Sequence, residues 1–353
     1  EYLIGLGETH NIDLISFEKK HKIKNNEIIR LKKILKKKSI NWIFFRYSKL
    51  IYFNLLKIAF INIYIFVLNF KKNYKIFHIR SYIPYLMLIL IQLIKKNKII
   101  FDMRGFWHEE KVDRLGLSKK SIYYKFLNYL EFKGIQRSTK IICLTDEAIK
   151  ILVTKYNVES SKFIKIPTAV NTQVFKKKIY KKNKYFTFGY LGTITGAYNF
   201  DEVLIFFKKT LKYNSKNKLK IINNYENEQI LNYIKKHKIN KNNYQIVDSN
   251  NNIDQILNEI DIGIFFIYQN YSIQASFPTR IGEFLSKNIP IICNNFNKEI
   301  NFLEKNNKFI FFYESEKNTE NLLKKIESYL INNKLNLLPR VYVKKFLSTN
   351  VAI

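Results

Sequence analysis

Short apolar runs alternate with longer amphipathic stretches along nearly the whole chain, and this alternation limits the fold more than any other feature. Strand candidates lie at 12–17, 42–45, 76–79, 99–102, 141–144 and 163–166, with helix candidates near 24–37, 49–70, 83–95, 119–137 and 146–155 between them. A second series has strands at 186–191, 220–223, 244–247, 262–266, 289–293 and 309–312, and helices near 200–212, 226–237, 252–259, 279–286 and 318–331. Buried strands separated by helices predict parallel sheets covered on both faces. Two such series predict two Rossmann-like α/β domains in tandem, 1–178 and 179–338, with a ligand cleft at the carboxyl ends of the strands. The boundary falls in the basic, glycine-free run 176–184. Tyr2 to Gly7 reads as a helix tail, so the first domain is expected to lack its opening strand and loop.

At 353 residues and 47% hydrophobic composition, the chain has enough apolar surface for two domains. The net charge of +33, from 61 basic and 28 acidic residues, suggests an anionic partner. Lysines, however, scatter over every predicted surface, alongside abundant Asn, Ile, Tyr and Phe. That pattern fits compositional bias and an anionic membrane surface better than nucleic acid, which calls for one continuous basic stripe. Cys143 and Cys293, each in a predicted buried strand, argue for a reducing, cytoplasmic compartment and against disulfides or a thiolate metal site. Leu50 to Phe70 approaches membrane length but contains Asn54, Lys57, Asn62 and Asn69, so it reads as a buried or interfacial helix, not a span.

The most informative segment for chemistry runs from Ser276 to Cys293. Pro278 suits the first turn of a helix, followed by Thr279, Arg280, Ile281, Gly282 and Glu283; Asn288 and Pro290 end it before a buried strand. A helix start offers free N–H groups and a positive dipole end. Arg280 adds a fork for phosphate oxygens, and Glu283 is an acceptor for hydroxyls. Upstream, Gly189, Gly192 and Gly196 mark a strand–loop–helix junction where backbone can approach a phosphate. In the first half, Asp102, Arg104, His108, Glu109 and Glu110 crowd the end of an apolar strand, and His78, Arg80 and Tyr82 end another.

Pro278, Thr279, Arg280, Glu283, Pro290 and Ile291 resemble the "P-T-K/R-x-x-E-x-x-A-x-x-x-P-V-I" segment of retaining, family 4-like glycosyltransferases of bacterial glycan assembly, which have the GT-B fold. The 102–110 run resembles the "F-D-x-R-G-x-W-x-D-E" element of one branch, and His78 to Tyr82 its "H-x-R-S-Y" element. Pro167 to Phe175 resembles "P-N-G-V-D-x-x-x-F", with a hinge role. The resemblance implies a retaining hexosyltransferase moving sugar from a nucleoside diphosphate-sugar to a glycan or lipid-linked acceptor. It needs no metal or other cofactor and works in the cytoplasm or at the inner face of the membrane. It assigns Arg104, Glu109 and Arg280 to catalysis, and Gly192, Thr193, Ser276, Thr279, Arg280, Gly282 and Glu283 to the donor nucleotide. It also implies that 339–353 is a helix crossing back to the first domain. Two departures stand out. Thr193 to Gly196 lacks the charges that relatives use on the diphosphate, and Ala275 stands where a second glutamate is usual. A GT-B-fold sugar-nucleotide epimerase and a non-catalytic basic binding or scaffold protein are the alternatives.

Overall fold

The computed structural model describes residues 2–18, 25–48, 50–94, 97–176, 178, 184–248, 252–314, 319–332 and 338–352. Most of the expected 176–184 linker, and the expected segment ends at 24, 49, 95, 318 and 353, lie outside them. Twelve strands are present among the described residues. The first six are β1 (Ile12–Glu18), β2 (Ile40–Arg46), β3 (Ile76–Arg80), β4 (Lys98–Asp102), β5 (Lys140–Cys143) and β6 (Phe163–Lys165). The second six are β7 (Thr187–Leu191), β8 (Lys218–Ile222), β9 (Tyr244–Val247), β10 (Ile262–Ile264), β11 (Ile291–Cys293) and β12 (Ile310–Phe312).

All strand pairs are parallel, as helices between successive strands allow. The second half forms one six-stranded sheet in the order β12-β11-β10-β7-β8-β9. The order reverses beside β7, and in such sheets ligands bind outside the strand ends at that point. Glycine lets helices press onto this sheet: a Cβ on Gly263 would lie 2.7 Å from Phe284, and one on Gly189 would lie 2.4 Å from Ile260. Gly189 is therefore a packing residue within β7, not part of a phosphate loop.

The first half does not form one sheet. β1 and β2 pair only with each other, and β3-β4-β5-β6 form a separate four-stranded sheet. Side chains hold the two together: Asp13 of β1 takes a 2.6 Å salt bridge from Lys72 and a short hydrogen bond from Tyr74, both just ahead of β3.

Helix starts follow their capping residues. Thr145, Asn199 and Asn297 each accept a backbone N–H three residues on, at 3.0, 3.1 and 3.0 Å. Three helices depart from expectation. Trp107–Leu115 and Lys298–Asn306 were not anticipated, and the span expected as a helix at 83–95 splits into Tyr82–Leu86 and Ile89–Ile94. The final segment is not one helix. Leu338–Tyr342 runs into a π-helical turn at Val343–Leu347, Ser348 becomes extended, and Thr349–Ala352 forms a last turn beside Tyr2–Leu6. Ser348 bridges to Val170, whose N–H donates to Leu347 O at 2.8 Å.

The lysines are not all on the surface either. Lys287 is fully buried on Asp254 at 2.6 Å, and Lys220 is buried with its ammonium on Glu259. Each is tolerated inside because a carboxylate meets it.

Candidate nucleotide site at the second sheet

The helix Thr279–Ser286 points its N-terminus at the carboxyl ends of β7 and β8. Pro278 is its N-cap residue rather than its first turn, and it supplies no side-chain hydrogen bond to the free amides. A cleft of about 680 Å³ opens there. Its walls are Leu191 to Thr193 and Tyr198 after β7, Ile222 to Glu226 after β8, Ile253, and Thr279, Arg280 and Glu283.

Arg280 is the centre of the site. It is only 5% exposed, and its guanidinium carbon lies 3.6 Å from the centre of the Tyr198 ring. Nη2 donates to Thr193 O at 3.3 Å, and buried Nη1 has no hydrogen-bond acceptor in good geometry among the described residues. An unpaired buried guanidinium N–H is costly, and an anion is the partner chemically suited to it. Gly192 makes room for the guanidinium. Its φ is +96°, and a Cβ there would sit 2.9 Å from Arg280 Nη2. Glu283 lies one turn further, half-buried at the cleft wall. Burial raises its pKa against the lowering pull of Arg280.

The loop after β7 is ordered by a residue the sequence reading missed. Glu226 accepts from Thr193 Oγ1 at 2.7 Å, Thr195 Oγ1 at 2.6 Å, the Ile194 amide at 2.8 Å and Asn223 Nδ2 at 2.7 Å. Burial alone would raise the Glu226 pKa, but these hydrogen bonds outweigh it and hold the carboxyl below its ordinary range. The available signal was a carboxylate just beyond a strand's carboxyl end. The loop residues Thr193 to Gly196 carry no cation of their own, and the carboxylate that braces them also lines the cleft.

The structure brings Gly192, Thr193, Thr279, Arg280 and Glu283 together around this cleft. Gly282 and Ser276 do not line it. A Cβ on Gly282 would meet Val170 at 2.8 Å, so that glycine lets the hinge segment dock on the helix. Ser276 is held through its carbonyl, which accepts from Asn297 Nδ2 at 2.8 Å.

The first-half candidates separate into two groups. Asp102, Arg104, His78 and Arg80 stay at the ends of β3 and β4. Asp102 is buried with Oδ1 unpartnered, its Oδ2 lies 3.9 Å from His78 Nε2, and burial raises its pKa against Arg104, His78 and Arg80. Ser81 and Arg104 both have positive φ, +72° and +60°. Both lie beside Asp102, Ser81 donating its N–H to Asp102 O at 2.8 Å.

His108 and Glu109 turn the other way, because the Trp107–Leu115 helix carries them towards Ile122–Arg137. Glu109 accepts from Tyr124 at 2.6 Å and pairs with Lys119 at 2.9 Å. Fully buried His108 lies 3.5 Å from the buried Glu131, which also holds Lys155 and Tyr156. The opposite face of that helix fronts the second half: Arg114 lies 3.3 Å from where a Cβ would stand on Gly196, and Glu110 packs against Gly105. Tyr271 stacks on Phe106 at 5.7 Å, and Thr145 Oγ1 donates to Gln274 O at 2.6 Å, joining the two halves.

No family model matches the chain, and no curated protein matches it. Solved structures do. A glycosyltransferase from Rickettsia africae ESF-5 is 17% identical with a TM-score of 0.64, over 97% of this chain and 95% of that one. Sucrose-phosphate synthase from Thermosynechococcus elongatus is 8% identical with a TM-score of 0.66, over 97% and 96%. The lipopolysaccharide outer core galactosyltransferase WaaB is 12% identical with a TM-score of 0.53, over 92% and 98%. The chain thus has the GT-B fold.

Proposed function

We propose that this protein is a glycosyltransferase that takes a hexose from a nucleoside diphosphate-sugar and passes it to a glycan or lipid-linked acceptor with retention of configuration. The observation that carries the reading is the buried Arg280, with an unpartnered Nη1, at an uncapped helix start beside Gly192. A diphosphate satisfies Nη1 and the free amides at once. Glu283, one turn along, accepts the ribose hydroxyls. The full-length likeness to named glycosyltransferases supports the same reading.

In this scheme the bond from the anomeric carbon to the diphosphate oxygen breaks while the acceptor oxygen bonds to the same face. The acceptor proton passes to the departing phosphate oxygen. Arg280 and the helix start stabilise the growing charge, so no metal is required. Arg104 and Asp102, at the ends of β4, face the acceptor or the transferred sugar. The buried free thiols Cys143 and Cys293 fit a cytoplasmic setting. The inner membrane face, with its anionic lipids, is the working platform, and cell-envelope polysaccharide is the product class.

The test is a thermal-shift panel of UDP, GDP and ADP and their sugars, followed by NMR of the product anomer. A nucleoside diphosphate that raises the melting temperature and a product keeping the donor's anomeric configuration support the proposal. Donor epimerised without any acceptor would identify an epimerase instead. No response to any nucleotide would leave a binding or scaffold role.

A further inference from the structure

We infer that the Ile51–Lys72 helix is a docking surface for an anionic lipid bilayer. Phe53, Leu56, Phe60, Ile63, Val67 and Phe70 recur at spacings of three and four, which places them in one stripe along the helix. Each is between 45% and 69% exposed. The residues that argued against a membrane role face inward. Asn62 donates to Leu86 O and accepts from the Leu90 amide at 3.1 Å, while Asn69 and Asn97 exchange hydrogen bonds at 3.3 and 3.2 Å. Ile61 and Ile65 are buried in the core. One face thus anchors the helix to the protein and the other offers a continuous apolar strip to the outside. So anchored, the helix lies along a surface and does not cross a bilayer.

Charge selects the occupant. The sequence has no Asp or Glu between Glu27 and Asp102. Lys71 and Lys75 stand exposed at the end of the helix, while Lys72 between them is paired with Asp13 at 2.6 Å. A second copy of the chain paired through this face would bring the same cations, with no Asp or Glu from residues 28–101 to meet them. A leaflet of anionic headgroups over acyl chains matches both the apolar strip and its basic border. The inference deepens the membrane-surface part of the proposed function, but its test involves neither sugar nor nucleotide, so either can fail alone.

Sedimentation of the full chain with vesicles decides it, using phosphatidylcholine alone or with about 30% phosphatidylglycerol. The expected result is at least about tenfold stronger partitioning to the anionic vesicles, weakened by salt. Leu56→Asn/Ile63→Asn/Val67→Asn should lose about tenfold or more with an unchanged melting temperature, because these side chains are exposed. Lys71→Glu/Lys75→Glu should lose anionic binding preferentially. The inference is overturned if the wild-type chain stays in the supernatant with anionic vesicles, or if both variants bind like wild type. A concentration-dependent dimer in analytical ultracentrifugation, abolished by the triple variant, would overturn it in favour of self-pairing.

Discussion

Replacing Arg280 by alanine tests the phosphate seat directly. Two effects must be kept apart. In the free protein the guanidinium stacks on Tyr198 at 3.6 Å, a contact whose loss costs about 0.5–2 kcal/mol. Removing a buried cation that lacks a full set of partners returns part of this, so the unliganded melting temperature should fall by only a few degrees. Ligand binding should suffer more. A charge-assisted hydrogen bond is worth about 1.5–3 kcal/mol, and Nη1 makes no other hydrogen bond of good geometry among the described residues. At about 2.7 kcal/mol the dissociation constant of a nucleoside diphosphate rises about a hundredfold. With ligand at a hundred times the wild-type dissociation constant, wild type gains about 2.7 kcal/mol and the variant about 0.4. At about 2 °C per kcal/mol, the shifts are about 5 °C and under about 1 °C. Turnover, followed by nucleoside diphosphate release, should drop about 10²–10³-fold, as when a transition-state charge donor is removed. If Arg280→Ala keeps the wild-type thermal shift, the diphosphate lies elsewhere and the site assignment fails.

Gly192→Ala should reproduce most of that binding loss with Arg280 intact. Its φ of +96° strains an alanine, and the new methyl would occupy the space 2.9 Å from Nη2; an unchanged nucleotide titration would contradict the close approach. Glu283→Gln tests the ribose acceptor through pH. The folded pKa is raised, so wild-type affinity should weaken on acidification while an ordinary glutamate would still be ionised, and the variant should show no such pH step by calorimetry. Glu226 has the opposite sign. Its folded pKa is lowered, so its stabilisation is present above the unfolded value of about 4.3 and disappears as pH falls through the folded one. Glu226→Gln should flatten that part of the melting-temperature profile and cost about 1–3 kcal/mol at neutral pH; an acid limb identical to wild type would show that the brace is not ionic.

The strand positions were legible because a buried parallel strand is apolar on both faces, but the split of the first half into two sheets was not. The donor-side residues were legible for a related reason. Arg280 and Glu283 sit on a single helical turn, where sequence spacing fixes relative position. Glu226 was not legible, because its partners Thr193, Ile194 and Thr195 come from a different strand end, and only the β7–β8 pairing brings them within reach. The 102–110 run failed differently. Its five polar residues look like one cluster in sequence, but the helix beginning at Trp107 turns His108 and Glu109 towards one neighbour and Glu110 and Arg114 towards another. Glycine was ambiguous until packing was seen. Gly192 serves a ligand cavity, whereas Gly189, Gly263 and Gly282 serve close contact with Ile260, Phe284 and Val170.

The two departures from the family pattern have different physical meanings. Ala275 is almost fully buried and packs with the first-half core, its carbonyl 4.0 Å from where a Cβ would stand on Gly105. A carboxylate placed there would be buried in the seam between the halves, at a desolvation cost that alanine avoids. The uncharged loop is another matter. Glu226 already fills the Ile194 amide and both threonine hydroxyls, so the loop cannot also wrap a phosphate with those groups. In the proposed function, diphosphate recognition in the second half would therefore fall to Arg280 and the amides at Thr279 and Arg280. Arg114 approaches from across the seam, lying against Gly196 on the face of its helix that also presents Glu110. A donor held by one arginine from each half would be gripped firmly only while the halves are together, which ties its capture to the contacts at Phe106–Tyr271 and Thr145–Gln274.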